Sequence, residues 1–177
     1  MSKKAFSFYT VLGYIVLVFF ILLLVMVFAF PSFITGNGMA PTIKNKAVVF
    51  HNKMQYQFQD PKRGDIVSYQ PFGCCFPFKL FPIKYIHRII ALPGETIEWK
   101  NYEIWINNRK LEEPYMFDKF TNRNKETNEF EKVTLKDDEY FVMGDNRSIS
   151  VDSRRLGPVK RGYIMSQVHS IINPSGD

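Results

Sequence analysis

The hydropathy pattern divides the chain in two. From Val11 to Phe30 no position carries a charge, and no helical period separates a polar face from an apolar one. At about 1.5 Å per residue a helix over this run reaches ~30 Å, the thickness of a hydrocarbon layer. A helix apolar on all faces is suited to lipid, whereas a surface helix of a soluble core keeps one polar side. Pro31 predicts the helix end. The competing reading is a cleavable signal peptide, whose apolar core runs about 7–15 residues before a small-residue cleavage site. This run is longer, and Ala29-Phe30-Pro31 lacks such a site. The pattern therefore predicts a cytoplasmic stub over 1–10, a transmembrane anchor over 11–30 and an outer domain over 34–177. Lys3 and Lys4 flank the near side, so the positive-inside bias keeps the N-terminus in the cytoplasm, although Lys44 and Lys46 lie beyond the other end.

Beyond the anchor the period changes to two. Ala47–Phe50, Asp65–Tyr69 and Tyr85–Ala91 are short apolar or β-branched runs, the composition of strands. Thr96–Trp99 and Glu103–Ile106 alternate on either side of Lys100-Asn101-Tyr102, a hairpin pattern, and Asn107-Asn108 reads as the next turn. Glu139–Met143 and Tyr163–Ile172 predict two more strands. Lys119–Lys132 is polar and reads as a loop. Many short strands with frequent Pro and Gly predict a mainly β domain of sandwich or barrel-like form. About 145 residues outside the anchor suffice for one such core.

Composition adds a partner class. The 177 residues carry a net charge of +6, and 16% are aromatic, with 17 Phe. A basic balance suits an anionic lipid surface or wall polymer, and a membrane anchor with no dense Lys/Arg block argues against nucleic acid. An ordinary solvated basic surface is the plainer account of the charge. Pro71–Pro82 is Phe-rich, too short and too proline-rich to span. It either dips into the outer interface or folds back on the domain. Cys74 and Cys75 are adjacent, without metal-ligand spacing, and His51, His87 and His169 are scattered, so no metal and no cofactor are expected.

Four stretches carry chemistry. Gly36-Asn37-Gly38-Met39-Ala40-Pro41-Thr42 resembles the Gly-x-Ser-Met-x-Pro-Thr motif of type I signal peptidases. Tyr85–Glu95 is similar to the family's Tyr-x-Lys-Arg-x-Ile-x-Leu-Pro-Gly-Asp box. Arg63–Val67 and Glu113-Pro114-Tyr115 follow the same pattern, as does the long box Tyr140–Gly157 with its Gly-Asp-Asn-Arg core. The compact length resembles the Gram-positive forms. The resemblance implies an extracytoplasmic β domain beside the bilayer and preprotein substrates. It also implies two losses. Gly38 stands where the family has its nucleophilic Ser, and His87 where it has its general-base Lys.

In the family the Lys is held neutral in an apolar setting so that it can take the Ser proton. Gly38 has no hydroxyl, but it keeps the backbone N–H that the family uses to hold the scissile carbonyl. The remaining motif positions are present. Met39 and Pro41 belong to the nucleophile loop, Ser150 matches a Ser that bonds near the base, and Asp152 and Arg154 match a supporting ion pair. On a strand Tyr85, His87 and Ile89 share one face. A turn glycine at 38 and a structural histidine at 87 are the plain alternatives. The expectation is a catalytically inactive homologue that holds signal peptides or exported preproteins, or that partners an active signal peptidase. The remaining alternative is a residual peptidase working through Ser150 and His87.

Overall fold

An N-terminal helix and two antiparallel sheets make up the structure, a computed structural model that describes residues 3–28, 31–70, 84–100, 103–116 and 132–175. Helix α1 covers Lys3–Phe28, so it starts well before the uncharged run. Its described side chains, Phe8 to Leu22, include large apolar groups 44–66% exposed on every face. Among the described residues no helix is long and apolar enough to cross a membrane. The Phe8–Leu22 stretch reaches only about 22 Å. The Phe-rich segment with Cys74 and Cys75 and nearly all of the 119–132 loop lie outside the described residues.

The larger sheet takes its strands from along the whole chain. These are β1 (Pro31–Phe33), β2 (Val48–Asn52), β3 (Ile66–Tyr69) and β4 (Tyr85–Ala91). The smaller sheet follows with β5 (Thr96–Lys100), β6 (Glu103–Ile106), β7 (Arg109–Lys110) and β8 (Val133–Thr134). The chain then returns to the first sheet with β9 (Glu139–Met143), β10 (Val159–Lys160) and β11 (Ile164–Ile172). The sheet orders are β1-β2-β11-β3-β4-β9-β10 and β7-β6-β5-β8. Two one-turn helices, α2 (Gln55–Phe58) and α3 (Ser153–Leu156), fill connections. Ahead of Ile34, Pro31–Phe33 already pairs with Phe50–Val48.

Strand alternation distributes the core. On β9, Tyr140 and Val142 enter a cluster with Val67, Tyr69, Ile89 and Ile164. Their neighbours Phe141 and Met143 enter a second cluster with Ile90, Ile97 and Ile104, between the sheets. This is the period-two division of a strand buried on both faces. On β4 the ladder shifts between Ile89 and Ala91, which turns both Ile90 and Ala91 toward the second cluster. A third cluster holds Met39, Ile43, Ala47, Val49 and Val168 under the 36–42 loop. At the β6–β7 hairpin Asn107 and Asn108 both take positive φ, 49° and 64°, the backbone of a two-residue turn.

Polar side chains bind the sequence boxes to one another. Asp145 accepts from Arg88 Nε at 2.8 Å and Nη2 at 2.6 Å, and from Thr42 Oγ1 at 2.5 Å. Its carboxylate thus ties the first loop to β4. The Arg88 guanidinium lies 4.0 Å over the Tyr115 ring. Arg147 donates to Gly144 O and forms a buried pair with Glu113. Arg63 donates to Ile90 O and to Glu95, which closes the turn after β4.

Candidate functional site

The site is built where the 36–42 loop meets β4 and the segment after β9. β4 presents His87 inward, 5% exposed. Register sets Val67 of β3 opposite His87, so Tyr69, two residues on, reaches the ring diagonally. Tyr69 Oη lies 2.8 Å from His87 Nδ1, and Ser150 Oγ lies 3.1 Å from His87 Nε2. The imidazole is thus held between two hydroxyls.

Burial decides the direction of these bonds. Tyr69 is 1% exposed, and among the described residues its hydroxyl meets only His87. An unpaired buried O–H costs about 1–3 kcal/mol, so Tyr69 donates to Nδ1. The ring proton then sits on Nε2 and points at Ser150 Oγ. Ser150 keeps its own proton, and His87 has no lone pair free to take it. Burial also pushes His87 down to about 4; Asp152 and Asp145 oppose that shift, while Arg154 adds to it. A neutral ring with a pKa this low is a weak base at neutral pH.

Gly38 borders the same space. A Cβ built on it would meet only Ser150, with Oγ at 3.8 Å, an ordinary contact. Its carbonyl accepts from Asn146 N at 3.0 Å, while among the described residues nothing accepts from its N–H. Met39 is buried in the cluster beneath the loop, and Pro41 is exposed and follows a cis peptide. Gly144 is the tightest point. A Cβ there would lie 2.3 Å from Ser150 Oγ and 2.4 Å from Gly38 O, so only glycine lets the two segments meet.

Asp152 supports the segment from behind. Its carboxylate accepts from Gly144 N at 2.9 Å and takes both Arg154 Nε, at 2.8 Å, and Nη2, at 2.9 Å. Burial alone would raise its pKa, but the Arg154 guanidinium and the Gly144 N–H outweigh it and hold the carboxyl below its usual range. Arg154 also donates to Arg147 O, which closes the loop around Ser150. The structure therefore brings Gly38, His87, Ser150, Asp152 and Arg154 to one place, with Met39 below and Pro41 at the rim. Tyr69, Gly144 and Asn146 join them. Gly144 and Asn146 stood within the long box without an assigned role, whereas Tyr69 needs the β3–β4 register to be found.

The profile of the family described as "Signal peptidase, peptidase S26" matches residues 7–172. The chain belongs to this family. Signal peptidase I S of Bacillus subtilis (strain 168) is 36% identical over 129 residues, which cover 70% of this chain and 65% of that protein. Signal peptidase I of Bacillus amyloliquefaciens is 37% identical over 70% of this chain, so the match spans just under two thirds of each of these two relatives. Signal peptidase I U of Bacillus subtilis (strain 168) is 32% identical over 99% of this chain and 92% of its own length. A crystallised signal peptidase I from Enterococcus faecalis V583 superposes with a TM-score of 0.50 at 28% identity, covering 63% of this chain and 98% of that one. The mainly β domain with its N-terminal helix is therefore a signal peptidase fold. Among the described residues no group of His, Cys, Asp and Glu could hold a metal ion.

Proposed function

We propose that this signal peptidase family member is a membrane-anchored protein that binds signal peptides or exported preproteins without cutting them. The observation that carries this reading is the pair of residues at the family's reactive positions. Gly38 offers no nucleophile, and His87 is a neutral, buried ring whose two nitrogens are engaged by Tyr69 and Ser150. Binding capacity rests on other features. The Gly38 N–H has no acceptor among the described residues, so it can receive a peptide carbonyl. Ile149 and Val151 flank Ser150 and are 56% and 38% exposed, apolar groups suited to an apolar peptide. An extended peptide in such a groove gains affinity from main-chain hydrogen bonds. The apolar run from Val11 to Phe30 would serve as a single-pass anchor, with residues 1–10 in the cytoplasm and the β domain outside. Partnership with an active signal peptidase is compatible with the same anchored, non-cutting scaffold.

The deciding experiment is a preprotein cleavage assay in liposomes, comparing wild type with Gly38→Ser/His87→Lys. The expected result is silence from the wild type and cleavage by the double variant, because a side chain at 38 fits without clash. Cleavage by wild type overturns the proposal. Absence of signal-peptide binding to the detergent-solubilised wild type at high micromolar peptide removes the binding half.

One contact favours a second reading. Ser150 Oγ and His87 Nε2 are 3.1 Å apart, within reach for a Ser–His nucleophile pair. The low ring pKa and the proton placement imposed by Tyr69 oppose it. Ser150→Ala separates the two, since only this reading predicts cleavage by wild type that the variant loses.

A further inference from the structure

A second polar cluster lies on three adjacent strands away from His87. His51 of β2, Ser166 of β11 and Ser68 of β3 are 8%, 2% and 3% exposed. His51 Nδ1 is 3.0 Å from Ser166 Oγ, and Ser166 Oγ is 2.7 Å from Ser68 Oγ. Among the described residues nothing bonds His51 Nε2. The ring lines a small cleft of about 20 Å³, with Ser32, Lys53, Lys84 and Met165 also in its wall. The three groups pair consistently in one direction. Ser68 donates to Ser166, Ser166 donates to His51 Nδ1, and the remaining ring N–H on Nε2 points into the cleft. A ring more than nine-tenths buried, with its outer nitrogen unpartnered, is set for an acceptor from outside.

The charge of the cleft selects that acceptor. Burial, then Lys84 and then Lys53 lower the His51 pKa, so both ammonium groups are within electrostatic reach of the ring. Among the described residues no carboxylate lines the cleft. The contrast is the cleft at Arg63, Arg109 and Lys110, where Glu95 lies in the wall and Glu103 pairs with Lys110. The place in the fold selects the source. Ser32 lies on β1, four residues past Phe28 and therefore within about 14 Å of the end of α1. Phe33 beside it is 79% exposed, and Met165 in the cleft wall is 39% exposed. Cations, hydroxyls and apolar groups thus sit together at the junction of helix and domain.

We infer that this cleft binds the phosphate of an anionic phospholipid headgroup, with Lys53 and Lys84 pairing its charge and His51 Nε2 and Ser32 bonding its oxygens. The inference rests on α1 being the membrane anchor, which brings the junction to headgroup level. A cleft of about 20 Å³ accepts one phosphate oxygen, with the rest of the group at the surface beside the two lysines.

The test uses the full chain with ¹⁵N-labelled histidine in maltoside micelles, titrated with dihexanoyl-phosphatidylglycerol. The expected result is a saturable shift of the His51 ring signals. Lys53→Gln/Lys84→Gln, two exposed positions that leave the fold intact, weakens binding by about 25-fold, roughly fivefold per lysine. No saturable shift, or an unchanged affinity in the variant, overturns the site. Inorganic phosphate is the second probe, and equal affinity for it overturns the headgroup assignment in favour of a free anion. Flotation with neutral phosphatidylcholine vesicles judges the anchor separately. A chain that floats while His51 ignores phosphatidylglycerol keeps its anchor and loses the site. A chain that does not float loses the anchor and the headgroup assignment with it.

Discussion

His87 shows how one substitution changes what its neighbours can do. A lysine ammonium at this position would need an apolar setting to become neutral, whereas an imidazole is already neutral and uses both nitrogens as struts between Tyr69 and Ser150. Stability should then depend on pH in a defined window. The folded-state pKa is depressed to about 4 from 6.5, so below pH 6.5 the unfolded chain binds a proton that the native chain refuses. Stability is complete above pH 6.5 and falls as pH drops toward 4, by about 3 kcal/mol for this one group. His51, also lowered, adds in the same direction. Asp152, whose pKa is held down, loses its contribution only at still lower pH. Urea unfolding from pH 7.5 to 4.5 should show this loss in wild type and a shallower slope in His87→Gln.

The strands of the domain were legible in proportion to their length. β2, β3, β4, β5, β6, β9 and β11 all fall on runs whose alternation or β-branched composition marks them, with ends within a residue or two. β1, β7, β8 and β10 span two or three residues, too few for a period to show, and they exist because a longer neighbour offers them a ladder. The motif residues of the site could be read off the chain, but their mutual distances could not. Tyr69 meets His87 only through the β3–β4 register, and Ser166 meets His51 and Ser68 only because β11 lies between β2 and β3. The turn at Asn107-Asn108 was legible from residue type, since asparagine tolerates positive φ. A β-branched residue there pays a steric penalty, so Asn108→Val should cost about 1–2 kcal/mol by thermal unfolding, while Asn108→Gly should be close to neutral.

The whole molecule joins an apolar rod to a domain with a cationic surface at the joint. The described side chains of α1 are exposed on every face, so the β domain does not bury them. If lipid does, a charge at mid-helix is expensive. Leu17→Arg should cost roughly 3 kcal/mol of insertion and shift the chain from the carbonate-resistant membrane fraction into the soluble one. An unchanged fractionation would show that α1 is covered by something other than lipid.

The position of β11 also bears on the order of events during synthesis. A chain emerges from its N-terminus, and β2 and β3 are made early, yet their shared neighbour spans Ile164–Ile172. Until that segment has been made, the central gap of the larger sheet stays open and both flanking strands present unpaired edges. Completion of the larger sheet is therefore a late, nearly all-at-once event.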